Sequence, residues 1–495
     1  MATAKGKVAA KTIRKTADSK VAAKSTRTIS ARYDAAGQGR RMRGWQAPSS
    51  GPNKAIEGLQ TIRNRSNDAA RNDWSGESGT QKWTTTLVGI GITPRFKRLK
   101  NAARKLVLSD LWSDFVAKAD ADGVLSYYAM QTLAVRSWFT SGEVFVRRRY
   151  RRINDGLPVP MQVQLLEADF VPLLDADNWP NLPAGNRIRS GIEFDKRNRR
   201  VAYWMYKEHP GDKPVSVTSD QLVRIPAEDV RHMYELKRPG QLRGVPGSAP
   251  ILARLRSIGD FDDAVLERQK LANLFVAFIT RTMPNMGDDG VDPLTGNLID
   301  TSSGSPLVPL APGITQELDP GQDVKFANPP EPGTTYSDYM RTNHLGTAAG
   351  FGIPYEIFSG DIKEVSDRTL RVLINEFRRF AEQRQWQIII PMFCQPISEW
   401  FADSARLVGL CSQDEYEALR RPEHAPHGWA HIHPVQDPQG KKIEVDAGFR
   451  SRSSVIGGSG DDPDLVDSER AEDLAREKRL KLLPDPVVAP AKAAK

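Results

Sequence analysis

Four of the seven histidines lie within ten residues, at His424, His427, His431 and His433. Imidazoles at that spacing could share a divalent metal ion. No cysteine joins them, and Pro422, Pro426 and Pro434 break up the stretch, which weakens the metal reading. Two carboxylate clusters follow. Asp288, Asp289 and Asp292 sit in a Gly/Pro-rich loop and lack the glutamate and spacing of a calcium loop, which makes them a solvated loop. Asp260, Asp262 and Asp263 are neighbours on a helical pattern, where they can pair with Arg256 or a neighbouring subunit. A metal-dependent nuclease would want carboxylates converging on its ions from separate places. The chain has no Gly-x-x-x-x-Gly-Lys-Ser/Thr phosphate loop, no Gly-x-Ser-x-Gly elbow and no His-Glu-x-x-His. It therefore carries no sign of ATP hydrolysis of its own.

The elements that would position these groups are organised around Pro250–Asp367. Ile251, Leu255, Ile258, Phe261 and Val265 recur at steps of three and four, and Ala272, Phe275 and Ile279 resume the stripe. That is helical spacing, with Pro250 suited to the first turn and Pro284 as the stop. Residues 283–332 then hold nine prolines and six glycines, through which no helix persists. Leu307, Val308, Ile314 and Val324-Lys325-Phe326 are short strand candidates there. Thr334 or Thr335 caps a second helix, which runs to about Gly350 and ends at Phe351-Gly352-Ile353-Pro354. Ser366 starts a third, with Leu370, Leu373, Phe377 and Phe380 on one face and a kink expected near Pro391 and Pro396. A fifty-residue excursion between helices is either a surface insertion or a functional module at the tip of a two-helix stalk.

Composition narrows the classes. The 495 residues, 39% of them hydrophobic, suffice for one large or several ordinary domains. Two cysteines without paired spacing, Cys394 and Cys411, argue against a disulfide framework. No run approaches eighteen apolar residues, and the N-terminal lysines precede no apolar segment, so neither a membrane anchor nor a secretory signal is expected. The formal charge is +9, but residues 1–43 hold six Lys and six Arg against Asp18 and Asp34, leaving 58 basic and 59 acidic residues for the remainder. A near-neutral body argues against a binder that neutralises many phosphates. The first thirty residues lack large apolar side chains and read as a disordered basic tail.

Along the body, Leu59–Asp73 suggests an amphipathic helix on Leu59, Ile62, Ala69 and Ala70, its arginines salt-bridged or solvated. Leu87–Phe96 reads as a strand with glycines. Asp110–Phe139 reads as helical, with Leu111, Phe115, Met130, Leu133 and Trp138 as core. Glu143–Arg152 (EVFVRRRYRR) begins as a strand and ends with five arginines around Tyr150, an arrangement that suits base stacking or an Arg-rich hairpin on an outer rim. Met161–Glu167 alternates as a strand does. Ile188–Asp195 and Arg200–Lys207 form a hairpin, and Leu222–Ile225 and Val230–Tyr234 are short strands. Residues 85–235 thus read as mixed α/β, residues 250–406 as mainly helical, and Glu469–Leu482 as a charged helix.

Several blocks, in order, resemble the lambda-type portal proteins of tailed phages. They are YDAAGQGRRMRGW (33–45), LQTIRNRSNDAARND (59–73), LVGIGI (87–92), GIEFD with VAYWMYKEHPGD (191–212), RPGQLRGVPGSAPIL (238–252), GIPYEIFSGD (352–361) and HIHPVQDP with the Gly-Asp-rich turn after it (431–466). The resemblance covers most of residues 33–460. It implies an α+β portal fold: a tail (1–32), a mixed α/β wing (33–249), a first stem helix (250–282), a small β-containing clip (283–332), a second stem helix (333–351), a tunnel-loop region (352–367), a long kinked wing helix (368–410), a helical C-terminal crown segment (411–482) and a second tail (483–495). It also implies a dodecameric ring at one capsid vertex, assembled in the host cytoplasm and carried in the virion, through which double-stranded DNA is packaged and ejected.

Partners implied are the terminase large subunit, the major capsid and scaffold proteins and the head–tail connector proteins, with no cofactor, no catalytic residue, no metal and no membrane anchor. Residues placed in the DNA channel are Lys363, Arg341 and His344, with Asp338 as an alternative partner for Arg341. The tunnel loop is Asp361, Ile362, Lys363, Glu364 and Val365. Clip docking falls to Asp288, Asp289, Asp292 and Lys325. Two other classes remain open at this point: a metal-dependent nuclease or integrase-like enzyme using the Asp260 cluster, and a monomeric DNA-binding module driven by the basic tail.

Overall fold

Short polar side chains cap the second, third and fourth helices, at Asp73, Asn101 and Ser126. The computed structural model describes residues 50–212, 217–274, 278–281, 322–325, 336–363 and 365–482, with backbone alone at 55, 271–274, 278–281 and 322–325. All its elements lie in one unit, Pro52–Lys495. Helix α1 (Leu59–Asn72) buries Leu59, Arg63 and Ser66. Asp73 caps α2 (Trp74–Val88), accepting from the amides of Ser75 at 2.8 Å and Gly76 at 3.2 Å. The strand expected over Leu87–Phe96 is present only in part: Leu87 and Val88 close α2, and only β1 (Thr93–Arg95) is extended, after a turn at Gly89 and Gly91 with φ of 57° and 119°.

The single helix expected over 110–139 is two, α3 (Ala102–Lys118) and α4 (Tyr127–Ser141). The Asp120 carboxylate accepts from the amides of Asp122, Val124 and Leu125 at 3.1, 3.0 and 2.9 Å, and Gly123 at φ 74° completes the turn. The break resets the helical phase. Phe115, Met130 and Trp138 are buried as expected, but Leu133 is 41% exposed.

The strands that follow are β2 (Glu143–Tyr150), β3 (Met161–Glu167), β4 (Arg187–Arg189), β5 (Ile192–Phe194), β6 (Arg200–Tyr206), β7 (Leu222–Pro226) and β8 (Val230–Tyr234). They make two antiparallel sheets, in the orders β3-β2-β8 and β4-β5-β6-β7. The segment 188–195 is not one strand. Ser190 and Gly191, at φ 51° and 78°, turn it into the β4–β5 hairpin. Because successive side chains of a strand face opposite ways, β2 serves two cores. Val144 and Val146 join the helical core with Phe115, Tyr127, Phe393 and Phe401. Phe145 joins Leu166 and Val230 against Ile192, Tyr203, Met205 and Ile225 of the second sheet.

Helix α5 (Leu252–Leu274) starts beside this body. Ile251, Leu255 and Ile258 are buried, but Phe261 is exposed, because farther along only a helix covers it. The helix does not continue to Pro284. Residues Phe278–Arg281 are strand β9, antiparallel to β10 (Gln322–Lys325), so Ile279 belongs to a strand and not to the helical stripe. Phe278-Ile279-Thr280 is β-branched and aromatic and finds a partner in β10, which favours the extended form. Helix α6 (Tyr336–Phe351) ends at Gly352 (φ 73°), and α7 (Tyr355–Ser359) ends at Gly360 (φ 74°).

Ser366 caps α8 (Asp367–Arg384), accepting from the Thr369 amide. The expected kink is a π-helical stretch, Gln385–Cys394, that contains Pro391 and passes into α9 (Gln395–Leu407). Helix α10 (Gln413–Arg420) leads to β11 (Glu423–Ala425), which pairs with β1. Helices α11 (Gln436–Asp446), α12 (Arg452–Gly458) and α13 (Pro463–Leu480) follow and bury almost nothing.

A buried carboxylate joins the parts. Glu143, fully buried, has four donors: Arg63, Arg243 Nε at 2.7 Å, His232 Nε2 at 2.7 Å and the Gly244 amide at 2.6 Å. Arg243 also donates to the carbonyls of Ser190 at 2.8 Å and of Ala168 and Val171 at 3.0 Å, and Arg63 to that of Ser141 at 3.1 Å. Burial alone would raise the carboxyl, but the two guanidiniums and the imidazole hold it well below the usual range. Replacing Glu143 by Ala leaves two guanidiniums buried without their counter-ion and should lower stability by about 3–5 kcal/mol. Chemical denaturation of the purified variant tests this, and a loss below about 1 kcal/mol would mean that the network is dispensable.

Candidate functional site

Helix α6 carries two of the residues expected in a channel, and its contacts fix where they lie. It packs along α5: Arg254 donates to Asn343, Tyr336 donates its hydroxyl to Asp262, and Phe261 stands 4.9 Å from the Tyr339 ring. Gly350 meets Ile251, where a side chain would collide. Arg341 is half-exposed and approaches Asp361 Oδ2 at 4.0 Å with its guanidinium over the Tyr355 ring, so its carboxylate neighbour is Asp361 and not Asp338. His344 lies 5.0 Å from the Trp74 ring, and burial lowers its pKa. Its Nδ1 has no hydrogen-bond partner in the structure.

The loop after α7 is short and polar. Asp361 accepts from the Lys363 amide at 3.0 Å, Ile362 is 67% exposed, and Lys363 is exposed. Val365 is half-buried, and Glu364 lies outside the described residues. Asp288, Asp289 and Asp292 also lie outside them. Lys325 ends β10, opposite Phe278. The structure therefore brings Arg341 and Asp361 together and keeps His344 apart, against α2.

The candidate chemistry is otherwise absorbed locally. Asp260 pairs with Arg256 at 3.0 Å and Asp262 accepts from Tyr336, so two of the three clustered carboxylates have a structural role. The histidines lie apart in role. His424 is buried on β11, His427 rests against Gly89, and His433 Nδ1 accepts from the Gln436 amide at 3.0 Å. Among the described residues no group of three His, Cys, Asp or Glu is arranged to hold a metal ion, and no helix is long and apolar enough to cross a membrane.

The Arg-rich strand is largely tied down. Arg148 stacks on Tyr150 and reaches Ser404 at 3.2 Å, Arg151 donates to Gln162 at 2.7 Å, and Tyr150 donates to Asp229 at 2.7 Å. The residues that sequence reasoning missed are Glu143, Arg63, His232 and Arg243. The one available signal was the Glu that begins the apolar first half of the strand, Val144-Phe145-Val146.

The His424 environment makes a pH prediction. Neither ring nitrogen has a partner, and burial lowers its pKa to about 4. The unfolded chain takes up this proton near pH 6.5, so between about pH 6.5 and 4 the unfolded state binds more protons and stability falls with acid. His424→Leu should remove on the order of 3 kcal/mol of the stability difference between pH 7 and pH 4. Denaturation at the two pH values checks this; an unchanged difference would contradict it.

The family model described as "Phage portal protein, lambda family" matches residues 38–385. A probable portal protein of Halomonas phage phiHAP-1 is 25% identical over 435 residues, spanning 85% of this chain and 81% of that protein. The portal protein of Escherichia phage N15 is 20% identical over 424 residues, spanning 77% and 76%. Among solved structures, the neck of a native gene transfer agent particle computed with C12 symmetry aligns at 14% identity and TM-score 0.45, over 85% of this chain and 97% of that one. The virion of the native gene transfer agent aligns at 13% identity and TM-score 0.43, over the same shares.

Proposed function

Since the chain belongs to the lambda family of phage portal proteins, we propose that it assembles into a ring at one capsid vertex and lines a channel through which double-stranded DNA is packaged and ejected. One observation carries this reading. Two helices, α5 and α6, pack along each other and are separated in sequence by an excursion within which β9 and β10 pair. The family match spans all of these elements.

In this reading α5 and α6 are the stem and the segment around β9 and β10 is the clip, which offers a docking surface to the terminase large subunit and to head–tail connector proteins. Asp288, Asp289, Asp292 and Lys325 are its candidate docking residues. The major capsid and scaffold proteins surround the ring, and assembly takes place in the host cytoplasm. Residues 360–365 form a loop that projects into the channel. Its described part carries one cation, Lys363, beside Asp361, so it guides the duplex with weak, screened contacts and does not grip it. The energy for translocation comes from a separate ATPase. The nuclease reading loses support, because Asp260 and Asp262 already have partners.

Two measurements test the proposal. Mass determination and imaging of the purified protein should show a ring of about twelve copies, and a monomer that cleaves DNA with magnesium would overturn the reading. Proheads built with residues 361–365 shortened should assemble normally yet package short genomes or leak DNA. Full-length, fully retained genomes would remove the channel role of this loop. Failure of the variant to form rings would make the segment structural.

A further inference from the structure

The first residues of the loop after α7 have no apolar anchor, since Ile362 and Lys363 both face solvent. What holds its first residues is Asp361. The Asp361 amide donates to Ser359 Oγ at 3.1 Å, and its Oδ1 accepts from the Lys363 amide at 3.0 Å, which closes a tight turn just past Gly360. Its other oxygen faces two groups outside the loop, the Tyr355 hydroxyl at 3.4 Å and Arg341 Nε at 4.0 Å. Arg341 in turn lies 5.9 Å above the Tyr355 ring. The guanidinium stands on α6, the ring on α7 and the carboxylate at the start of the loop, so three elements meet at one charge pair.

We propose that Arg341 is a positioning residue: with Tyr355 it holds Asp361, and through Asp361 the turn that presents Lys363. A displacement of α6 would then move the loop, because the pair spans the only polar contact between them among the described residues. The consequence for DNA rests on the channel reading above; the positioning itself does not.

Amide hydrogen exchange of residues 361–363, measured on the full chain for Arg341→Gln, Asp361→Asn and the double variant, tests the positioning. A half-exposed pair of this kind shifts a local equilibrium by about two- to fivefold, so each single change should speed exchange by that factor. The double variant should exceed neither by much, since one interaction is removed only once. Unchanged exchange in Arg341→Gln, or single effects that multiply, would overturn the proposal. Exchange within α5 and within the rest of α6 reports whether each variant keeps its fold.

DNA retention in assembled particles separates the two readings. Faster loop exchange with leakage in both single variants supports both. Faster exchange with full retention supports the positioning and overturns the channel role of the loop. Leakage in Arg341→Gln alone, with exchange unchanged, means that Arg341 touches DNA itself, and the positioning proposal falls.

Discussion

A fully buried carboxylate is tolerated only when its lone pairs are taken up and its charge is answered. Glu143 meets both conditions with four donors, two of them guanidiniums. His232 fits as the neutral tautomer: Nε2–H donates to Glu143, while Nδ1 lies 3.4 Å from the Arg200 guanidinium and accepts from it. Burial and the neighbouring arginines lower its pKa to about 4, which keeps it neutral. The geometry reaches the backbone. Gly142 and Gly244 approach so closely that a Cβ on either would strike the other strand of chain, and Ser66 and Ser248 share a hydrogen bond at 2.6 Å beside them. The segment that leads into α5 is thus fixed against α1 and the start of β2. The start of α5 is anchored beside the Glu143 network, with Ile251 and Leu255 packed into the helical core.

How much of this was legible depended on which signals were local. Alternation placed β3 on the residues it occupies, because Met161 and Val163 are buried while Gln162 and Gln164 are more open. Helix α2 was invisible because its sequence, WSGESGTQKWTTTLV, has small residues where a core stripe would show. Gly76 and Gly79 are there for close approach, to Ala69 and to the Phe351 ring. Thr80 and Thr84 return their hydroxyls to carbonyls one turn back, at 2.8 Å each. The Asp120–Gly123 turn carried its signal in plain sight, and apolar periodicity on both sides hid it. The Glu143 network was legible only as residue types, since its members lie up to 180 positions apart in the chain.

The long helical run shows how a helix breaker is accommodated. Pro391 lacks an N–H and would disrupt regular α-helical bonding. The chain widens into a π-helical stretch and resumes as α9 with no gap. Buried partners hold both ends of the stretch. Gln385 donates to the Leu87 carbonyl at 2.9 Å, tying the start of the stretch to the end of α2. The Trp400 indole donates to the Glu228 carbonyl at 3.2 Å, tying α9 to the segment before β8. The irregular stretch thus lies between two fixed points, and its bonding departs from the α pattern without freeing the segment.

The distribution of charge follows the same logic of internal satisfaction. Glu193, also fully buried, accepts from Arg224 at 2.7 and 3.0 Å and from Asn186 at 2.6 Å. Arg104 forks onto Glu415 at 2.6 and 3.0 Å, and Arg136 onto Glu77 at 3.1 and 2.6 Å. These arginines are answered inside the chain, and the residues after 43 are together near neutral, with 58 basic and 59 acidic side chains. Affinity for a duplex scales with the number of phosphates neutralised, so a surface of this composition gains little from any one position along the strand. For the DNA channel proposed above, that flatness is the useful property. Deep electrostatic wells would set a barrier at every phosphate step, and a chain that pairs its own charges does not create them.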